Sequence, residues 1–134
     1  MIDLELPQSD KQPDACHPRE TLEIFGQNVA EQRFLNAFNN NNLHHAWLIS
    51  GSNGIGKATL AWRIARFLFA NQSNSSNELF KLETPSSSLD IDYSHPINPR
   101  LRALSEPNLF LLRRLYDEEK KRFRNDITVD QVRK

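Results

Sequence analysis

Residues 51–59 read Gly-Ser-Asn-Gly-Ile-Gly-Lys-Ala-Thr. Gly51, Gly56 and Lys57 fit the phosphate-loop pattern G-x-x-x-x-G-K-[ST], and Gly54 adds a further flexible position. The chemistry of such a loop is specific. Glycines let the backbone curl until its N–H groups face phosphate oxygens, and the following helix adds the positive end of its dipole. The lysine brings a mobile positive charge, and a Ser or Thr hydroxyl after it holds Mg²⁺. Here that hydroxyl is missing: residue 58 is alanine. Thr59 lies one place late, turned by about 100° around the helix. The pattern predicts phosphate contact by Gly51, Gly54, Gly56 and Lys57, with Thr59 adding a hydrogen bond. ATP or ADP would be held weakly or without ordered Mg²⁺, and hydrolysis would be severely weakened.

A hydrolytic site also needs an apolar strand ending in an acid. The stretch Ser-Ser-Ser-Leu-Asp-Ile-Asp is too short and too polar. Ile127–Asp130 is the better match, but Asp130 reads as a helix cap. No catalytic residue and no metal ligand is assigned. His44 and His45 are adjacent and point different ways, while His17 and His95 each precede a proline, where turns are expected. Cys16 is the single cysteine, so neither an intrachain disulfide nor a cysteine zinc site can form, and a reducing compartment fits. Trp47 and Trp62 read as core or interface aromatics.

The elements around the loop supply the order strand, loop, helix. Ala30, Phe34, Ala37 and Phe38 recur at helical spacing between Asn28 and Phe38, and the asparagine run 39–42 ends that helix. Ala46–Ile49 is a short continuous apolar run, as in a strand covered on both faces in a parallel sheet. After the loop, Leu60, Ile64, Phe67 and Leu68 form one stripe of a long helix, with Ala61 and Ala65 beside it. Residues 71–100 are rich in Asn, Ser and Pro and read as a long surface connection with a helical turn near Leu79. Leu109–Leu112 is a second strand candidate and residues 127–129 a third, in a hairpin with a charged turn. Asp130 would cap a helix running into the last residues. Residues 1–18 hold three prolines and read as a flexible leader. The expected fold class is α/β, with a parallel sheet core.

Among the 134 residues 25% are charged and 38% hydrophobic, as in a folded domain. The net charge is zero, which points to no polyanion, yet the charge is uneven. Residues 1–50 hold 3 basic and 7 acidic side chains, against 10 and 6 in residues 100–134. The acidic N-terminus lacks the apolar core of a signal peptide, and no run approaches the ~20 apolar residues that span a bilayer. A cytoplasmic protein is expected.

The stretch from Ile24 to Ala70 resembles the first part of the AAA+ module in bacterial clamp-loader subunits of DNA polymerase III. The likeness is carried by Phe-Gly-Gln at 25–27, by Leu-His-His-Ala-Trp-Leu-Ile-Ser-Gly leading into the loop, and by the long helix after it. Ser-Glu-Pro-Asn-Leu-Phe-Leu-Leu at 105–112 and Ile-Thr-Val-Asp-Gln-Val-Arg-Lys at 127–134 resemble two further family segments. The resemblance covers roughly residues 17–134 and is closest to the delta-prime type of alphaproteobacteria. It implies a P-loop AAA+ three-layer fold, incomplete at the C-terminus, with residues 19–134 its N-terminal portion. It also implies a non-hydrolysing stator that helps load the sliding clamp in DNA replication. The partners would be delta and gamma/tau type subunits, with primed DNA met indirectly through the complex and no membrane. Motor subunits of this family carry threonine where Ala58 stands. Many members insert a cysteine-rich zinc module after the loop helix; this chain has no cysteine there, so zinc is not expected. Two alternatives are an active P-loop ATPase, and a small nucleic-acid-binding module using the basic C-terminal third, notably Arg122 and Arg124.

Overall fold

The computed structural model describes residues 6–72 and 85–133, so the turn expected near Leu79 lies outside the described residues. The chain divides into two compact units, one spanning Pro18–Glu106 and one formed by residues 1–17 together with 107–134.

The Pro18–Glu106 unit contains α1 (Asn28–Asn39), α2 (Lys57–Gln72) and α3 (Ile97–Arg102). Helix α1 forms where its apolar spacing predicts, and it buries Phe34 and Leu35. The asparagines end it as expected. Asn41 adopts a left-handed φ of 53°, the Asn42 N–H reaches the Ala37 carbonyl at 2.9 Å, and that of Asn41 reaches Phe38 at 3.0 Å. This paired closure satisfies carbonyls that the last helical turn leaves open. Helix α2 puts Leu60 and Phe67 into a core with Phe34, Leu35 and Leu89, while Ile24, Phe38, Ile49, Ile64 and Leu68 pack around it. The rings of Phe38 and Phe67 meet edge to face at 4.8 Å.

Helix α2 is also buried along Trp62, Arg66 and Ala70, and α3 packs against it. Helix α3 follows Pro96 and buries Ile97 and Leu101. It was not expected from composition, since a proline-and-asparagine sequence reads as loop. Pro96 and Pro99, however, fall at its start, where no intrahelical N–H is needed. The segment before α3 runs over the helices rather than away from them. The Asn39 side chain clasps the Ser86 backbone twice, Nδ2 donating to the Ser86 carbonyl at 2.8 Å and Oδ1 accepting its N–H at 2.9 Å. Three residues on, Leu89 enters the core.

The expected parallel sheet is not formed among the described residues. Ala46–Ile49 pairs with no other segment. Leu48 is 93% exposed, and only Ile49 is partly buried against the core. A parallel strand needs a neighbour on each side for its backbone groups, and the described residues supply none. Trp47 is held instead by its ring, 5.4 Å from that of Phe34.

The second unit contains β1 (Tyr116–Asp117), β2 (Arg122–Phe123) and α4 (Val129–Val132). The two strands pair antiparallel, Tyr116 opposite Phe123 and Asp117 opposite Arg122. The strands expected at Leu109–Leu112 and residues 127–129 do not form: the observed pairing lies inside the stretch read as the charged turn, and Val129 belongs to α4. The Asp117 carboxylate accepts the Lys120 N–H at 3.0 Å, a local bond that fixes the charged turn. Asp130 does not cap α4. Thr128, extended at φ −80° and ψ 154°, is the cap, and Gln131 returns its Oε1 to the Thr128 N–H at 3.0 Å. A Thr-x-x-Gln pair satisfies the helix start reciprocally, which leaves Asp130 in the first turn.

The described leader residues contribute to this unit. Arg113 donates to Asp10 at 3.0 Å and also to Gln8. His17, expected in a turn before Pro18, is buried with its Nε2 2.7 Å from the Gln8 side-chain oxygen.

Candidate nucleotide-phosphate site

The loop between Ser50 and α2 carries the glycines in backbone conformations that other residues avoid. Gly54 has φ 77° and Gly56 φ 96°. At Gly56 space is short as well, since a Cβ there would lie 3.2 Å from the Ile24 side chain. Lys57 is the first residue of α2, and the Leu60 N–H closes the first helical bond to the Gly56 carbonyl at 2.9 Å. Of the predicted order of strand, loop and helix, the loop leads straight into the helix start, while the strand before it is not formed among the described residues. The first turn of α2 contains no acidic residue, so no fixed carboxylate on that turn opposes an anion.

Lys57 turns back over the loop. Its Nζ donates to the Gly51 carbonyl at 2.9 Å and to the Ser52 carbonyl at 2.7 Å. The ammonium is therefore held across the loop by the loop's own backbone. An incoming phosphate would have to replace those carbonyls as its partner. Ala58 and Thr59 are both half-buried in the first turn of α2. The methyl at position 58 has no lone pair to offer a cation. Among the described residues, no group of three or more His, Cys, Asp or Glu side chains comes close enough to hold a metal ion.

The parts that hold the loop were not read from the sequence. Gln27 sends its side-chain amide to the Ile55 carbonyl at 3.0 Å. Arg63, buried on α2, gathers three partners: Glu31 at 2.8 Å, Asp90 at 2.9 Å and the Leu22 carbonyl. Three segments are thereby fastened to α2 through one guanidinium, whose fork suits several acceptors at once. The Ser88 hydroxyl, and after it Arg63, hold the Asp90 carboxyl below the usual carboxylate range. Arg66 donates to the Arg19 carbonyl at 2.7 Å, while its buried Nε meets no partner among the described residues. Burial, and then the charges of Arg63 and Arg102, push Arg66 below the usual arginine range. An arginine inside an otherwise apolar helix face was the available signal for both residues.

A separate cleft of about 360 Å³ lies at the β1–β2 hairpin. Lys120, Arg122 and Arg124 line it together with Asp117 and Asp126. Opposed charges at such close quarters give no field of one sign, as a polyanion groove requires. Among the described residues no helix is long and apolar enough to cross a membrane.

A family model described as DNA polymerase III, delta subunit, matches residues 26–134. Two curated proteins are similar over a shorter stretch, each named DNA polymerase III subunit gamma. That of Buchnera aphidicola subsp. Schizaphis graminum (strain Sg) is 41% identical over 51 residues, and that of Buchnera aphidicola subsp. Acyrthosiphon pisum (strain APS) is 39% identical over 51. In both, the match covers 38% of this chain and 14% of the relative's length. No solved structure gives a significant match. With the family model spanning most of the chain, this protein belongs to the DNA polymerase III delta subunit family.

Proposed function

We propose that this chain is the phosphate-loop portion of a delta-prime-type clamp-loader subunit that binds nucleotide without hydrolysing it. The observation that carries the reading is the head of α2: a glycine curl and Lys57 stand in order, and a methyl replaces the Mg²⁺ hydroxyl at Ala58. Gly51, Gly54, Gly56 and Lys57 contact the phosphates of ATP or ADP, and Thr59 adds a hydrogen bond. No residue of this chain is catalytic. The family's P-loop AAA+ fold would complete a sheet around Ala46–Ile49 in the whole protein. The subunit acts as a stator in the loading of the sliding clamp, working with delta and gamma/tau type subunits. It meets primed DNA through that complex.

The similarity to two gamma subunits favours a second reading, a nucleotide-hydrolysing subunit. Ala58 opposes it, because Mg²⁺ neutralises charge in phosphoryl transfer and its usual hydroxyl ligand is absent.

The test is nucleotide binding and turnover by the full-length protein, with Ala58→Thr and Lys57→Ala beside it. The stator reading expects ADP binding that Mg²⁺ barely alters, negligible ATP turnover, and a Mg²⁺-dependent gain in affinity on Ala58→Thr. Lys57→Ala should weaken ADP by about 10- to 100-fold, the worth of a charge-assisted bond. Reconstituted clamp loading should survive Lys57→Ala in this subunit. Brisk Mg²⁺-dependent hydrolysis by the natural protein would overturn the reading in favour of the second.

A further inference from the structure

Gln27 stands at the N-cap of α1, where Ser, Thr, Asp or Asn is the favoured type. Its backbone does the work of a cap, its carbonyl accepting the Glu31 N–H at 3.0 Å. Its side chain makes no bond to the helix. The amide reaches the Ile55 carbonyl instead, 28 positions away in sequence.

That carbonyl belongs to the peptide joining Ile55 to Gly56. The described backbone contains no cis peptide, and in a trans peptide the C=O and N–H point in opposite directions. Holding the Ile55 oxygen toward Gln27 therefore turns the Gly56 N–H away from Gln27. The space beside Gly56 is closed too, because Ile24 stands 3.2 Å from where a Cβ on Gly56 would lie. Gln27 and Ile24 thus both bear on this loop residue, one through the carbonyl before it and one at its open side. The strut itself is braced. Arg63 binds the Leu22 carbonyl on one side of it and Glu31 on the other, from the same helix that begins with Lys57.

We infer that Gln27 is a positioning residue for the phosphate loop: its bond to the Ile55 carbonyl presets the Gly56 N–H for a nucleotide's phosphate oxygen. The inference rests on the phosphate-binding reading above. A loop already set before the ligand arrives saves the ordering cost of binding.

The experiment uses the full-length protein with ADP as probe. It compares the natural protein with Gln27→Met, which keeps the length and removes the donor, with Gln27→Glu, which turns the donor into an acceptor, and with Lys57→Ala. ADP affinity is measured by calorimetry. Thermal midpoint and Gly56 amide exchange are measured without nucleotide. Gln27→Met should weaken ADP about three- to tenfold, and Gln27→Glu at least as much, with faster Gly56 exchange and an unchanged midpoint. Unaltered affinity in both variants, with ADP still bound and Lys57→Ala still damaging, would overturn the role of Gln27 and leave the phosphate loop standing. No ADP binding by the natural protein would overturn the loop reading and this inference with it. A midpoint lowered in step with affinity in both variants would make Gln27 a residue of the fold alone, which also overturns it.

Discussion

Phe34 and Arg113 each gather parts of the chain that are distant in sequence, by different physics. Phe34 is 1% exposed and meets Phe67 and Trp47, inside a unit whose buried hydrophobics also include Leu35, Leu60, Ile97 and Leu101. Among the described residues of the other unit, no hydrophobic side chain is fully buried; His17 is buried there, beside Gln8. Arg113 serves in place of a core, binding Asp10 and Gln8 through its side chain and the Gln131 amide through its carbonyl at 3.0 Å. An apolar side chain stabilises by about 1.5–3 kcal/mol on full burial, whereas a partly exposed ion pair contributes about 0–1 kcal/mol. The candidate loop sits on the unit with the apolar core, as a preset site requires.

The hardest blow to the first unit is Phe34→Ala, which should cost about 3–5 kcal/mol. Urea unfolding followed by tryptophan fluorescence reads this unit alone, since Trp47 and Trp62 both lie in it. Next comes Arg63→Met, at about 3 kcal/mol, because it leaves Glu31 half-buried without its cation. A loss below about 0.5 kcal/mol, the range of ordinary surface changes, would show that apolar packing holds α1 to α2 unaided.

Arg113→Met should cost about 1 kcal/mol and be felt locally. Amide exchange at Lys11 and Ala15, which bond to Gln8 and Gln12, should quicken several-fold while the tryptophan transition stays put. A shifted tryptophan midpoint would break the contrast between the two units. Smallest is the effect of acid at Asp90. Its folded-state pKa lies below the unfolded value, so its contribution is present above about pH 4 and is lost as the pH falls through the lower folded value. The carboxylate is 74% exposed, so the loss is slight. Asp90→Asn should flatten the fall in stability below about pH 4; an unchanged slope would assign that fall to other acids.

Periodicity made α1 and the apolar face of α2 legible, and the glycine spacing marked the loop. These are local signals, in which each residue's neighbours are close in sequence. The strand at Ala46–Ile49 was not decided locally, because a strand exists only with a partner. Helix α3 was hidden by prolines and asparagines that read as loop although they suit a helix start. Gln27 was hidden for another reason, since a polar residue at a helix start reads as solvent-facing. Arg63 stands out among apolar neighbours, but its partners, like that of Gln27, lie between 27 and 41 positions away and have no local signal. Asp130 lost the cap to Thr128 because a reciprocal partner at Gln131 outweighs a lone acid.

The clasp between Asn39 and Ser86 has a practical consequence. Asn39 is the last residue of α1, and Leu89 and Asp90, three and four residues beyond Ser86, meet the core and Arg63. The clasp therefore acts as an index mark that sets which residue arrives at the core. Deleting one residue between Ser86 and Leu89 would bring the Asp90 carboxylate to the place the leucine now fills, at the cost of burying a charge.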